Sequence, residues 1–234
     1  MNRFITAVRA LDVAAVASLL DKEPKWLAWR DAQGRNALHY LGGVVVGDDA
    51  AKADASVEIA ALLLGKGMDL DSVHEIPDEG AVFPATPLWY AYARGRNQRL
   101  YTYLLLRGAG PQNCMFAIAW NDDVAAAELF KRHGAEVDPR SGAETPFMAA
   151  YLWRRFAVAG WFLANGAEVD HADARGCTAL FHAVRRRYDA EQVRLLLRFG
   201  ADPGRENLEG VSPRRLAETN RQRKLLGVLD TTRV

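Results

Sequence analysis

Four segments of the chain repeat one pattern at a nearly constant spacing. Each begins with Thr or Ser, passes through a short stretch rich in apolar residues, and continues into a second apolar run. The first residues of these segments, separated by 59, 33 and 34 positions, are Thr86, Thr145, Thr178 and Ser212. A period near 33 residues predicts stacked helix pairs, and the interval of 59 leaves room for one further copy.

Local signals predict where the helices of each repeat begin and end. Thr or Ser followed by Pro is typical of a helix start, because the hydroxyl accepts a bond from a free backbone N–H and Pro suits the first helical position. Asn113 is expected to replace Thr as the N-cap of the additional copy. A Gly follows each apolar run, where a left-handed residue ends a helix at low cost. These glycines are Gly67, Gly108, Gly134, Gly166 and Gly200.

The segment Thr178-Ala-Leu-Phe-His-Ala183 leads to Leu195-Leu-Leu197 and then to Gly200-Ala-Asp202. This pattern resembles the ankyrin repeat, whose motif reads Thr-Pro-Leu-His-x-Ala, then Leu-Leu-Leu, then Gly-Ala-Asp. The resemblance covers nearly the whole chain. It implies an all-α ankyrin-repeat solenoid of about seven helix pairs including caps, joined by short finger turns. The whole chain, 1–234, is then one domain, with an N-terminal cap at 1–31, repeats at 32–209 and a C-terminal cap at 210–234.

Two insertions interrupt the regular spacing. The second helix pair is expected to open at Asn36 and to close at Gly67, and about ten extra residues lie between its helices, within 42–54. The connection from Gly67 to Thr86 spans 19 positions, whereas the connection from Gly166 to Thr178 spans 12. The finger after Gly67 is therefore too long for a simple turn. Insertions in repeat proteins often lie on the binding face, but lengthening a surface loop costs little, so function and neutral drift both remain open.

Charge and composition narrow the class of partner. The net charge is +1, which argues against a nucleic-acid or membrane partner. Residues 1–150 carry 15 basic and 19 acidic side chains, whereas residues 151–224 carry 14 basic and 9 acidic ones.

Cys114 and Cys177 lie two repeats apart and are not expected to form a disulfide. We expect a cytoplasmic monomer without cofactor or metal, and the abundance of arginine and alanine indicates a bacterial source.

Catalytic and metal-binding patterns are not evident in the sequence. The five histidines show no metal-ligand spacing, and neither cysteine is expected to pair with one of them. The resemblance implies instead that His39 ties a finger to a helix. The glycine-rich segment 42–47 lacks the Lys-Ser/Thr of a phosphate loop. We therefore expect no enzymatic activity; an enzyme that uses the insertions within 42–85 is the alternative.

The ankyrin resemblance implies a protein-binding groove lined by finger tips and by the exposed ends of the first helices. Trp153 is expected in the groove, Trp161 is expected in the core, and Trp120 suits either place. The arginine run at 185–187 suits either a solvated face or an acidic protein partner. The candidate protein-binding residues are Asp78, Glu79, Phe83, Arg94, Trp120, Asn121, Trp153, Arg154, Arg185 and Arg186.

Non-catalytic binding of another protein through this groove and the extended finger is the function that the sequence predicts. A finer hypothesis is a bacterial immunity or antitoxin-type inhibitor that blocks a toxin. It rests on a small ankyrin array without an effector domain, on the composition, and on the unusual finger. A general cytoplasmic scaffold or adaptor is the alternative.

Overall fold

The computed structural model describes residues 2–78 and 81–230. Within these residues, fourteen α-helices follow one another in pairs, with one β-hairpin between the fourth and fifth helices and a short 3₁₀ turn at Pro24–Leu27. The helices are α1 Arg3–Ala10, α2 Val13–Lys22, α3 Ala37–Gly42, α4 Ala50–Gly65, α5 Pro87–Ala93, α6 Gln98–Leu106, α7 Met115–Asn121, α8 Val124–Arg132, α9 Pro146–Leu152, α10 Phe156–Ala164, α11 Ala179–Arg185, α12 Ala190–Arg198, α13 Pro213–Thr219 and α14 Arg223–Asp230.

The predicted helix starts are confirmed where Thr or Ser opens a repeat. The hydroxyl of Thr86 accepts a bond from the backbone N–H of Trp89 at 3.2 Å. Thr145, Thr178 and Ser212 make the equivalent bond, each at 3.2 Å. Each bond satisfies one of the backbone N–H groups that have no partner within the helix, so the sequence alone sets these boundaries.

The predicted helix ends are confirmed as well. The five glycines that follow the apolar runs have φ between 86° and 96°. A Cβ at any of them would meet no atom within 4 Å. Backbone conformation, and not a lack of space, therefore selects glycine at these positions.

The additional copy between Thr86 and Thr145 begins differently from the prediction. Helix α7 starts at Met115, two residues after Asn113, so Asn113 is not its N-cap. Asn113 instead has a left-handed backbone with φ 65°, and its Nδ2 donates to the carbonyl of Pro84 at 3.1 Å. The side chain of Asn113 therefore holds the segment before α7 against the preceding finger and does not cap the helix. The N-cap prediction for Asn113 is wrong.

Both insertions have a defined structure. Helix α4 has 16 residues, whereas the corresponding helix α6 has 9, so most of the extra length in 42–54 extends a helix and does not form a loop. The long finger is an antiparallel hairpin of β1 His74–Asp78 and β2 Ala81–Ala85, in which Ile76 faces Phe83. One finger is therefore a two-stranded ribbon and not a short turn.

The described residues divide into two compact units. The first comprises the residues up to Ala117 together with Arg132–Ala135, and the second comprises Ile118–Lys131 together with the residues from Glu136 onward. Each unit has its own apolar core. Phe4, Ile5, Leu20, Leu38, Leu41, Ile59, Leu63 and Leu88 are fully buried in the first, and Phe130, Phe147, Tyr151 and Phe162 are fully buried in the second.

Candidate functional site

Two tryptophans of the second unit form an exposed aromatic pair. Trp120 lies in α7 and is 54% exposed, and Trp153 directly follows α9 and is 38% exposed. Their ring centroids are 5.0 Å apart at an interplanar angle of 77°, which is the edge-to-face geometry that aromatic rings prefer. The pair leaves a large apolar area in contact with water.

Arg155 contacts this pair, and neighbouring arginines are held in place by packing and hydrogen bonds. The guanidinium of Arg155 lies 5.9 Å from the ring centroid of Trp120, and that of Arg154 lies 4.9 Å from the ring centroid of Tyr188. Arg186 donates to the carbonyl of Leu152 at 3.2 Å. We call Trp120, Trp153, Arg154, Arg155, Arg185 and Arg186 the tryptophan–arginine surface.

Arg185 is positioned by a buried histidine. Its guanidinium lies 3.2 Å from Nδ1 of His182, and Nε2 of His182 lies 2.8 Å from Oδ2 of Asp173. Arginine can only donate, so Nδ1 accepts and Nε2 carries the proton that is donated to Asp173. Burial lowers the pKa of His182, which favours this neutral form.

Asp173 anchors the other end of this chain of hydrogen bonds. Its Oδ1 accepts bonds from the backbone N–H groups of Arg175 and Cys177 at 2.8 and 2.9 Å. Burial raises its pKa, but the bonds from the Cys177 N–H and from His182 outweigh burial, so the pKa is lowered overall. Asp173 therefore stays ionised and holds His182 in its tautomer.

Cys177 lies beside this histidine, contrary to the expectation that neither cysteine pairs with one. One ligand atom from each of Asp173, Cys177 and His182 lies within 4.8 Å of the others. Both ring nitrogens of His182 are engaged, however, so neither has a free lone pair for a metal ion or for the thiol proton. Burial also raises the pKa of Cys177. The arrangement is a hydrogen-bonded support for Arg185, without an activated thiol.

The first unit carries the remaining candidate residues that the structure describes. The ring of Phe83, on β2, lies 5.1 Å from that of Trp89, and the guanidinium of Arg94 lies 5.4 Å from the centroid of Trp89. We call Phe83, Trp89 and Arg94 the hairpin patch. Asp78 ends β1, and Glu79 lies outside the described residues.

A buried histidine cluster fixes the base of the hairpin. Nε2 of His39 lies 3.3 Å from the carbonyl of Ala85, and Nδ1 of His74 lies 2.7 Å from the hydroxyl of Tyr90. The His39 side chain also completes a capping box with Asn36. The prediction that His39 ties a finger to a helix is confirmed, and the rigid base positions Phe83 against Trp89.

Trp161 and Asn121 are both half-buried in the second unit. The Nε1 of Trp161 donates to Glu128 at 3.2 Å, and the side chain remains partly exposed. The prediction that Trp161 is a core residue is therefore wrong. Asn121 is the last residue of α7 and is half-buried. Within the described residues, no helix is long and apolar enough to cross a membrane.

Comparisons with known proteins confirm the ankyrin resemblance. Residues 147–203 match the family model described as ankyrin repeats in many copies. The human ASB11 ankyrin repeat domain is similar over 100% of this chain and 99% of its own, with a TM-score of 0.72 and 22% identity. The ankyrin repeat domain of Bcl-3, a member of the IkappaB protein family, is similar over 98% of each chain, with a TM-score of 0.75 and 19% identity. No curated protein matches the sequence. The predicted fold class is confirmed.

Proposed function

Starting from its ankyrin-repeat fold, we propose that this chain is a non-catalytic binding module that recognises an acidic protein through the tryptophan–arginine surface. The observation that carries the proposal is the exposed edge-to-face pair of Trp120 and Trp153, with Arg155 against the ring of Trp120. Trp and Arg are the residues that most often dominate the energy of protein interfaces. Covering two half-exposed indoles removes apolar area from water and stabilises a complex.

Preorganisation supports the same proposal. Arg154 is stacked on Tyr188, Arg186 is bonded to the carbonyl of Leu152, and Arg185 is bonded to His182. Ordering a flexible arginine on binding costs about 0.5–1.5 kcal/mol of entropy, and side chains that are already held avoid part of this cost. The surface therefore suits a partner that presents carboxylates around an apolar centre.

The charge of the region favours an acidic protein over a nucleic acid. Residues 151–224 have an excess of five positive charges, but nine acidic side chains are interspersed among them. Nucleic-acid binding depends on neutralising many phosphates, and interspersed carboxylates oppose it. Opposite charge on a protein partner would instead speed association and set its orientation.

The finer role that we propose is inhibition of a toxin by a bacterial, cytoplasmic immunity protein that acts as a monomer. The alternative role is a scaffold or adaptor. An inhibitor would place the tryptophan–arginine surface against functional residues of its partner and abolish the partner's activity. An adaptor would bind without changing that activity, so a measurement on the partner separates the two.

Affinity capture from a host lysate tests the proposal. The wild-type chain, Trp153→Ala and the control Leu106→Ala are used as bait, and bound proteins are identified by mass spectrometry. Leu106 is 70% exposed and lies in the first unit, so its truncation also removes exposed apolar area. We expect an acidic protein with wild type and with Leu106→Ala, and much less of it with Trp153→Ala. Equal recovery with all three baits contradicts the proposed surface. Co-expression of the captured protein then shows whether its activity is inhibited.

A further inference from the structure

A cavity of about 460 Å³ lies within the second unit and adjoins the tryptophan–arginine surface at Tyr188, whose ring the guanidinium of Arg154 contacts. The turn between α11 and α12 lines one side, and the turn between α13 and α14 lines the other. Arg187, Arg221, Arg223 and Lys224 are exposed and line this basic cavity. No sequence motif indicated it, because its two sides are contributed by different repeats.

The basic cavity has a strong excess of positive charge. Asp189 is the single carboxylate among its lining residues, against four cationic side chains. None of these four cations forms an ion pair with a carboxylate within residues 2–78 and 81–230. Like charges that line a concavity reinforce one another, so the cavity attracts anionic groups.

Two of the cations occupy backbone positions that disfavour a side chain. Arg187 has φ 56° and Arg221 has φ 52°, in the left-handed region that glycine adopts most readily. Arg154 has the same conformation in the preceding turn, with φ 63°. Leu11, Arg96 and Asp122 have the same conformation in the turns of other helix pairs, so this backbone is a feature of the repeat. Arginine occupies the position in three successive turns, at Arg154, Arg187 and Arg221, which places a positive charge at each of them.

The floor of the basic cavity is apolar and preformed. Tyr188 and Leu225 are buried to 5% and 7% exposure and contribute its apolar lining. The hydroxyl of Tyr188 donates to the carbonyl of Leu152 at 3.1 Å, which fixes the ring before any ligand binds. A site for a free phosphate needs converging polar donors, whereas this floor suits an apolar side chain.

We propose that the basic cavity binds an acidic peptide segment of the protein partner. Carboxylates of the segment pair with Arg187, Arg221, Arg223 and Lys224, and an apolar side chain between them contacts Tyr188 and Leu225. This inference rests on the proposed function, which supplies the acidic protein. It adds a second contact region, on the turns of the last two repeats, and defines the chemistry of the segment that binds there.

A fluorescent peptide tests the site directly. The probe is the capped sequence Glu-Glu-Leu-Glu-Glu, its binding is measured by anisotropy, and its Gln-Gln-Leu-Gln-Gln and Glu-Glu-Ser-Glu-Glu analogues test charge and the apolar contact. The cavity variant is Arg223→Glu with Lys224→Glu, which places acids in the first turn of α14, where the helix dipole favours them. The control is Arg194→Glu with Arg198→Glu, an equal change of charge on exposed residues of α12.

We expect the cavity variant to bind the probe about tenfold more weakly and the control to remain within about twofold of wild type at low salt. Both analogues should bind more weakly than the probe. An equal loss in the two variants would show a general field without a specific cavity. Equal binding of the serine analogue would contradict the apolar contact. Displacement by inorganic phosphate, or equal binding of a single-stranded oligonucleotide, would overturn the assignment to a peptide.

The captured partner distinguishes this inference from the proposed function. If partner binding requires Trp153 but is unchanged by Arg223→Glu with Lys224→Glu, the proposed function holds and the cavity assignment fails. If Trp153→Ala and the cavity variant each weaken partner binding, the proposed function and the cavity assignment are both supported. If neither variant has an effect, both fail. Melting temperatures of all variants are measured first, so that a loss of binding is not confused with unfolding.

Discussion

The indole of Trp153 meets that of Trp120 edge to face at 5.0 Å, although the two residues are 33 positions apart in the chain and both are exposed to water. Helix α7 carries Trp120, and Trp153 directly follows α9. The contact shows that exposed residues at equivalent places in successive repeats meet on one surface.

Trp153→Ala should weaken the complex with the captured partner by roughly 2 kcal/mol or more, because a central aromatic anchor is lost. Stability should change little in comparison, since Trp153 is already 38% exposed. Calorimetric titration against the purified partner measures the first quantity and thermal unfolding the second. Unchanged affinity in Trp153→Ala would place the binding site elsewhere.

Arg185→Glu together with Arg186→Glu should slow association more than it speeds dissociation, because exposed charges mainly steer the encounter. The effect should shrink as salt increases, since the screening length falls from about 30 Å at 0.01 M to about 3 Å at 1 M. Stopped-flow association at several ionic strengths measures both trends. Arg194→Glu with Arg198→Glu serves as the charge-matched control, and equal slowing in this control would exclude a specific role for the pair.

Phe83→Ala tests whether the extended finger contributes to binding. The substitution removes the ring contact with Trp89 but leaves the His39 and His74 bonds at the hairpin base intact. We expect the free energy of unfolding to fall by about 0.5–1.5 kcal/mol in addition to the contribution of the buried area that is lost, since this is the usual value of an aromatic pair. If the finger, including Asp78 and Glu79, takes part in recognition, affinity falls as well. Loss of stability without loss of affinity would make the hairpin patch purely structural.

Leu196→Ala should destabilise the fold by about 2–5 kcal/mol, because the side chain is fully buried and its removal leaves a cavity. The matched control is Leu106→Ala, whose side chain is 70% exposed and should cost less than about 0.5 kcal/mol. Chemical denaturation of both variants measures the difference. Similar costs would mean that the core assignment of the apolar run 195–197 is wrong.

Stability should decline as the pH falls from 6.5 towards 4, with His39 as the main cause. Burial lowers the pKa of His39 from 6.5 to about 4, so the unfolded chain takes up a proton in this range before the folded chain does. The full shift corresponds to about 3 kcal/mol. Burial also lowers the pKa of His74 and of His182, and both add to the same slope.

His39→Gln should reduce this slope, and unfolding free energies between pH 4 and 7.5 measure it. The matched control is Ile59→Val, which destabilises a buried position of the same unit without removing a titratable group and should keep the wild-type slope. A slope unchanged by His39→Gln would mean that other groups control the acid response.

The sequence by itself determined the helix pairs and most of their boundaries. Capping hydroxyls at Thr86 and Thr178 bond backbone N–H groups three residues away, and the glycines act on their own backbone angles. These effects are local, so a repeated motif reveals them without knowledge of the packing. The bond between His39 and the carbonyl of Ala85 spans 46 positions, and it was expected only because the ankyrin resemblance implies it.

The tertiary structure alone decided which side chains meet. The contact of Trp120 with Trp153 and the bond from Asn113 to Pro84 join residues from different repeats. From the sequence, Trp120 suited either the core or the groove, and Asn113 was wrongly predicted to be an N-cap. Both outcomes depend on how neighbouring segments pack. The basic cavity has the same origin: two turns 34 residues apart in the chain form its walls only when their helix pairs stack.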